Sequence, residues 1–149
     1  MEECHDYVQW LFPLHEESAF ALVYPILTEA QAASLAGSAE ARARMGAAEA
    51  RFRVFLGLPA AGAPAASSPL NSRTALWAHP GDHNLLRVTR IIRSMRFFGL
   101  EDLSAAFWRD ADAVADAAGL GDVTRAFWRQ AAEAPVWESM RALPKRAKR

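Results

Sequence analysis

Cysteine is nearly missing: the 149 residues contain one, Cys4. No disulfide framework within the chain is available, which fits a reducing compartment and leaves the fold to rest on packing alone. Net charge is missing too. Seventeen Lys and Arg stand against seventeen Asp and Glu, giving a formal charge of zero. Such a chain lacks the global attraction on which general nucleic-acid binding relies. Its longest apolar runs are far too short to span a membrane. The acidic opening Met1-Glu2-Glu3 does not read as a secretory leader, so the expectation is a cytoplasmic protein. Metal-ligand spacing is absent as well. His5, His15, His79 and His83 form no H-E-x-x-H pattern, and Pro80 and Gly81 separate the last two. Cys4 beside His5 is read as an inert thiol near a terminus, since adjacency in sequence does not make a catalytic pair. Nothing in the sequence calls for a cofactor.

What is present is alanine and helix-forming residues, with few Val, Ile or Thr runs. The hydrophobic fraction of 52% is ample for a core. This composition favours helix over strand. The length suits one domain, predicted over residues 1–143 and followed by a basic tail, Pro144–Arg149. The tail reads as a solvated end, with a nuclear address as the alternative. The fold expected is an all-α bundle of about five to seven helices.

Punctuation along the chain places them. A short aromatic-rich helix, Cys4 to Phe12, is stopped by Pro13. Residues 13–27 contain two prolines and are expected to wander. Thr28 caps the next helix with Gln31 as its capping-box partner. Gly37-Ser38 separates it from a helix over Ala39 to Leu56, which Gly57 ends. Leu58 to Pro69 is a Pro/Ala/Gly/Ser-rich surface loop. Asn71 to Ala78 then brings Trp77 back to the core. Asp82 is the expected N-cap of the strongest helix, His83 to Phe98, with Leu85, Val88, Ile92 and Met95 inward and Ile91 and Phe98 widening the stripe. Glu101 to Ala118 follows, with Leu103, Phe107, Val114 and Ala118 inward. Asp122 is expected to cap a helix to about Ala134, and Pro135 to open a last turn over Val136 to Leu143. Phe-Trp-Arg occurs twice, at Phe107 and at Phe127, and is read as two helices each burying an aromatic pair.

Two constellations carry candidate chemistry. His83, Arg87 and Arg90 follow i, i+4, i+7 and share one stripe, with Asn84 on its flank. The stripe holds no acid, and it starts at a helix N-terminus, where backbone N–H groups favour an anion. Asp6, Gln9 and Trp10 fall at i, i+3, i+4 beside Tyr7. A carboxylate, an amide and an indole N–H on one face suit a polar ligand. They equally suit a docking role through an Asp6–Arg87 or Asp6–Arg90 pair. The two constellations are expected to converge on one cleft lined by Tyr7 and Trp10. The ligand-binding set is therefore Asp6, Tyr7, Gln9, Trp10, His83, Asn84, Arg87 and Arg90, and the candidate acid/base groups are Asp6 and His83.

The run His5-Asp6-Tyr7-Val8-Gln9-Trp10-Leu11-Phe12-Pro13 resembles the D-H-x-Y-I-Q-W-L-F-P opening of the opioid growth factor receptor conserved domain. The run His83-Asn84-Leu85-Leu86-Arg87-Val88-Thr89-Arg90-Ile91-Ile92-Arg93-Ser94 is similar to that family's H-N-x-L-R-I-T-R-I-L-K-S segment. The resemblance covers about the first hundred residues. It implies a helical domain with no established catalytic chemistry, in a family whose receptor name belongs to animal members that bind an enkephalin peptide. Two functions stay open. One is a binding domain for a peptide or a small anionic molecule. The other is a small enzyme acting on an organic substrate, with Asp6 or His83 as acid/base and Arg87 or Arg90 holding an anion.

Overall fold

A computed structural model describes residues 7–17, 23–64 and 68–138. Among them are six α-helices, a short 3-10 turn and no strand pair beyond one isolated bridge. The helices are α1 (Tyr7–Leu11), α2 (Glu29–Gly37), α3 (Ala39–Leu56), α4 (Asn84–Phe97), α5 (Glu101–Ala117) and α6 (Asp122–Glu133), with the 3-10 turn at Thr74–Leu76. The all-α bundle expected from composition is the observed fold. The expected last turn is seen as Pro135–Glu138, where the Glu138 N–H donates to the Pro135 carbonyl. The expected start of the first helix at Cys4–Asp6, the stretch beyond Glu138 and the basic tail lie outside the described residues.

The helix α4 is the axis of the bundle and packs against α5 and α6, while α2 packs on α3 and α4. Leu85, Val88, Ile91, Ile92, Met95 and Phe98 are all buried, as the a/d stripe required. Arg87, Arg93 and Ser94, at polar positions of the helix, are buried too. So α4 is enclosed over much of its surface; within its polar stripe Arg87 is buried and Arg90 half-buried, while His83 stays exposed.

Local chemistry sets most boundaries. The capping box at Thr28 and Gln31 forms in both directions. Ser38 accepts from the Ala41 N–H and starts α3. Gly57 ends α3 at φ 73°, and a Cβ there would meet the Arg73 Cβ at 2.6 Å and Asn71 Oδ1 at 2.7 Å. Only glycine fits that crowded left-handed turn. Trp77 returns to the core as expected, its Nε1 donating to the Leu56 carbonyl at 2.8 Å. Leu58, at the start of the Pro/Ala-rich loop, is buried, whereas 60–64 are exposed.

Three details differ from the sequence reading. The N-cap position of α4 is His83, not Asp82, yet Asp82 Oδ1 still accepts from the Asn84 N–H at 2.8 Å, one residue further out. Asp122 is the first residue of α6 and not its cap; Gly121 holds the cap position with no side chain to offer. Ala118 is exposed because α5 stops at Ala117, and Ala111 and Ala115 take the inward places. The two Phe-Trp-Arg tripeptides bury different rings. Phe107 is enclosed on α5, whereas on α6 it is Trp128, whose Nε1 donates to the Leu85 carbonyl at 3.0 Å. Each helix turns a different register of the same tripeptide to the core.

Candidate functional site

The short helix α1 exists because Tyr7, Val8 and Phe12 have apolar surface to bury and Pro13 forbids continuation. Val8 and Phe12 are in the core. Tyr7 stacks on Phe52 of α3 at 6.3 Å between ring centroids. Beyond α1 the chain runs alongside α4, N-terminus beside N-terminus. Arg87 places its Cζ 5.7 Å from the Tyr7 ring centroid. Arg90 donates from Nε to the Phe12 carbonyl at 2.8 Å. Ser94 donates from Oγ to the Pro13 carbonyl at 2.9 Å. Arg93 is ion-paired with Glu16 and donates to the Glu138 carbonyl at 3.0 Å. The Leu14–Ile26 bridge, with the Leu27 N–H donating to the Leu14 carbonyl at 2.8 Å, fixes the far side of this strip. The two sequence runs singled out above therefore meet at three places, Tyr7 with Arg87, Phe12 with Arg90 and Pro13 with Ser94.

The predicted site residues divide within this frame. Tyr7, Asn84 and Arg87 are brought together: Arg87 Nη1 donates to Asn84 Oδ1 at 3.0 Å while Tyr7 covers the guanidinium. Arg90 belongs to the strip clamp and also lies 5.9 Å from the Tyr24 ring centroid. Its Nη2 is buried without a hydrogen-bond partner among the described residues, and burial pulls its pKa below the ordinary arginine value. Gln9 is buried, whereas Trp10 is 58% exposed, so these two members of the expected face point apart. His83 is exposed at the start of α4, with Nδ1 4.0 Å from Asp82 Oδ2. Asp6 lies outside the described residues.

Arg87 is the focus of the site. It is only 7% exposed, and among the described residues it meets Asn84 Oδ1 and the Tyr7 ring, both neutral. A guanidinium carries five N–H donors, and among the described residues one of them is bonded, to an amide oxygen. Among the described residues, Asp82 accepts from the Asn84 N–H and Glu16 is ion-paired with Arg93. A desolvated cation among neutral partners is stabilised by any carboxylate or phosphate that reaches it.

Sequence reasoning missed Arg93, Ser94 and Glu16. Arg93 and Ser94 lie within the second motif, but their partners are 77 and 81 residues away. A third group of charges also went unseen. Arg53 on α3 bonds Glu49, Asp110 and the Pro59 carbonyl, and stands 5.5 Å from the Phe107 ring centroid. The only sequence signal was the four-residue spacing of Glu49 and Arg53.

No group of three or more His, Cys, Asp or Glu side chains able to hold a metal ion occurs among the described residues. No helix among them is long and apolar enough to cross a membrane. The opioid growth factor receptor (OGFr) conserved region matches residues 1–110 of this chain. Opioid growth factor receptor of Rattus norvegicus is 34% identical over 112 residues, which is 73% of this chain and 19% of that protein. The receptor of Mus musculus is 34% identical over 114 residues, 73% of this chain and 18% of that protein. The chain thus spans about a fifth of the length of the curated relatives it matches. No solved structure matches it.

Proposed function

Since the chain belongs to the opioid growth factor receptor conserved-region family, we propose that it is a ligand-binding domain whose ligand presents an anionic group to Arg87 where α1 meets α4. The relatives are named as receptors of a growth factor, which supports binding over catalysis. The observation that carries the reading is the burial of Arg87 among neutral partners, Asn84 Oδ1 and the Tyr7 ring. A purely structural arginine at this depth is normally neutralised by a carboxylate, as Arg93 is by Glu16 and Arg53 by Glu49. His83, one turn earlier on α4, adds a second donor at the mouth. Tyr7 gives the site an aromatic wall on which an apolar ligand body rests.

The test is a titration followed by nuclear magnetic resonance, with acetate, inorganic phosphate and an acidic peptide as probes and Arg87→Gln as the control. Saturable shifts confined to Tyr7, His83, Asn84 and Arg87, and lost in Arg87→Gln with the fold intact, are the expected result. Absence of any saturable anion, together with a lower melting temperature in Arg87→Gln, would make Arg87 a structural residue. Asp6→Asn separates a rival explanation. If Asp6 is the partner of Arg87, that substitution destabilises the domain and opens the site to the probes.

A further inference from the structure

The surroundings of Arg87 carry more apolar surface than a small anion needs. Trp10 is 58% exposed, Leu11 44% and Leu86 56%. Trp10 and Leu11 stand on α1 three and four residues after Tyr7, the ring that covers Arg87. Leu86 directly precedes Arg87 on α4, three residues after His83 and four before Arg90. Helical spacing therefore sets Trp10 and Leu11 on the Tyr7 side of α1 and Leu86 on the His83–Arg90 side of α4. The core does not need them: Val8 of α1 and Phe12 just after it, and Leu85 and Val88 of α4, are already buried. Solvent-facing Trp and Leu beside a desolvated arginine is the composition of an interface centre, where aromatic and arginine side chains carry most of the binding energy.

We infer that this face docks a segment of another protein in which an Asp or Glu is flanked by large apolar side chains. The inference rests on the reading of Arg87 given above and specifies its ligand. Charge complementarity fixes the sign. His83, Arg87 and Arg90 have no carboxylate beside them along α4, and among the described residues Asp82 accepts from the Asn84 N–H and Glu16 pairs with Arg93. A basic segment would be repelled. A free small acid would leave Trp10, Leu11 and Leu86 in water, because a metabolite needs enclosure to bury most of its own surface. A peptide lying across α1 and α4 covers them while its carboxylate reaches the guanidinium.

A random peptide library displayed on phage is panned on the full chain, with Arg87→Gln as counter-selection. The peptide recovered is synthesised and its affinity measured for the wild type and for Trp10→Ala, Leu86→Ser and Arg87→Gln. N-acetyl-aspartic acid amide is the small probe. The expected peptides carry Asp or Glu next to Leu, Phe or Trp. Each of the three substitutions should weaken binding by about tenfold or more, as should replacing the peptide's acid by its amide, while the small probe binds far more weakly. If the small probe binds as tightly as any peptide and Trp10→Ala leaves it unchanged, the Arg87 site stands and the protein-segment inference falls. If neither probe shows Arg87-dependent binding, both readings fall together. A dimer in sedimentation that Trp10→Ala dissociates would assign the apolar face to a second copy of this chain and also overturn the inference. Selected peptides without an acidic residue would do the same.

Discussion

Replacing Arg53 by Met is the sharpest perturbation the structure offers. Arg53 and Glu49 are one turn apart on α3, with side chains 1% and 2% exposed, and Asp110 of α5 joins them at 33% exposure. Methionine keeps much of the volume but removes the charge, the bond to the Pro59 carbonyl and the contact with the Phe107 ring. Glu49 is then a buried carboxylate with no cation. Breaking such a pair by removing one partner costs about 3–5 kcal/mol. At roughly 2–4 °C per kcal/mol for a domain of this size, the midpoint should fall by about 6–20 °C. The pairing of Glu49→Met with Arg53→Met removes both buried charges and should recover most of the loss, since Asp110 keeps access to water. Acid should also help the single variant. Burial already raises the Glu49 pKa above its ordinary value, while the Arg53 hydrogen bond and charge pull it down. With Arg53 gone it rises further. A raised carboxylate contributes stability that is present below its ordinary pKa and lost as pH rises through the folded value. The deficit of Arg53→Met should therefore shrink between pH 7.5 and pH 5. Urea denaturation followed by circular dichroism at both pH values measures it. A cost below about 1 kcal/mol, or a deficit that grows on acidification, would refute the argument that these charges depend on one another.

Other outcomes follow from single contacts. Ile92→Ala opens a cavity beside α5 and should cost about 2–5 kcal/mol in chemical denaturation. Gly57→Ala meets both a positive φ and the Arg73 Cβ, so it should cost about 1–3 kcal/mol and lower the melting temperature. Ser94→Ala leaves the Pro13 carbonyl without its buried donor and should cost about 1–3 kcal/mol, with faster hydrogen exchange over 7–16 than elsewhere. His15 packs on Phe97 at 5.3 Å and on Trp137 at 5.4 Å. Its pKa is lowered first by burial and then by Arg93, against the opposing pull of Glu16. A depressed histidine contributes stability above its ordinary value of 6.5 that is lost as pH falls through the folded value. Exchange over 135–138 should rise in that window in the wild type and stay flat in His15→Phe.

The parts of the fold that were legible in sequence are those governed by neighbours within one or two turns. The capping box at Thr28, the glycine stop at Gly57 and the inward stripe of α4 each depend on residues a few positions apart. The site was legible as a set of residue types and as two motifs. The division of labour inside it was not. Arg87 and Arg90 look equivalent at i and i+3, but one meets Tyr7 and Asn84 and the other a backbone carbonyl of the incoming strip. A backbone carbonyl has no residue type, so no reading of charges finds it. The same limit hid Ser94, and Arg93 was hidden by the 77 residues between it and Glu16. The buried state of the polar stripe was equally illegible, because a second protein layer on that side of α4 comes from residues more than seventy positions earlier.

That long separation also orders events in time. Phe12 and Arg90 are 78 residues apart, and a ribosome adding about 5–20 residues per second takes roughly 4–16 s to cover the gap. During that interval the aromatic side chains of the first helix have Phe52 of α3 to pack on but not the α4 side of the surface that receives them. Helices α4, α5 and α6 follow one another directly and pack together, so they are able to assemble as soon as they emerge. The short helix α1 and the strip after it are then placed late, and Phe12 waits for α4 even after Phe52 of α3, its other neighbour, has been made. Newly made chains are most open to chaperone capture, or to misassociation through this segment, before α4 is complete.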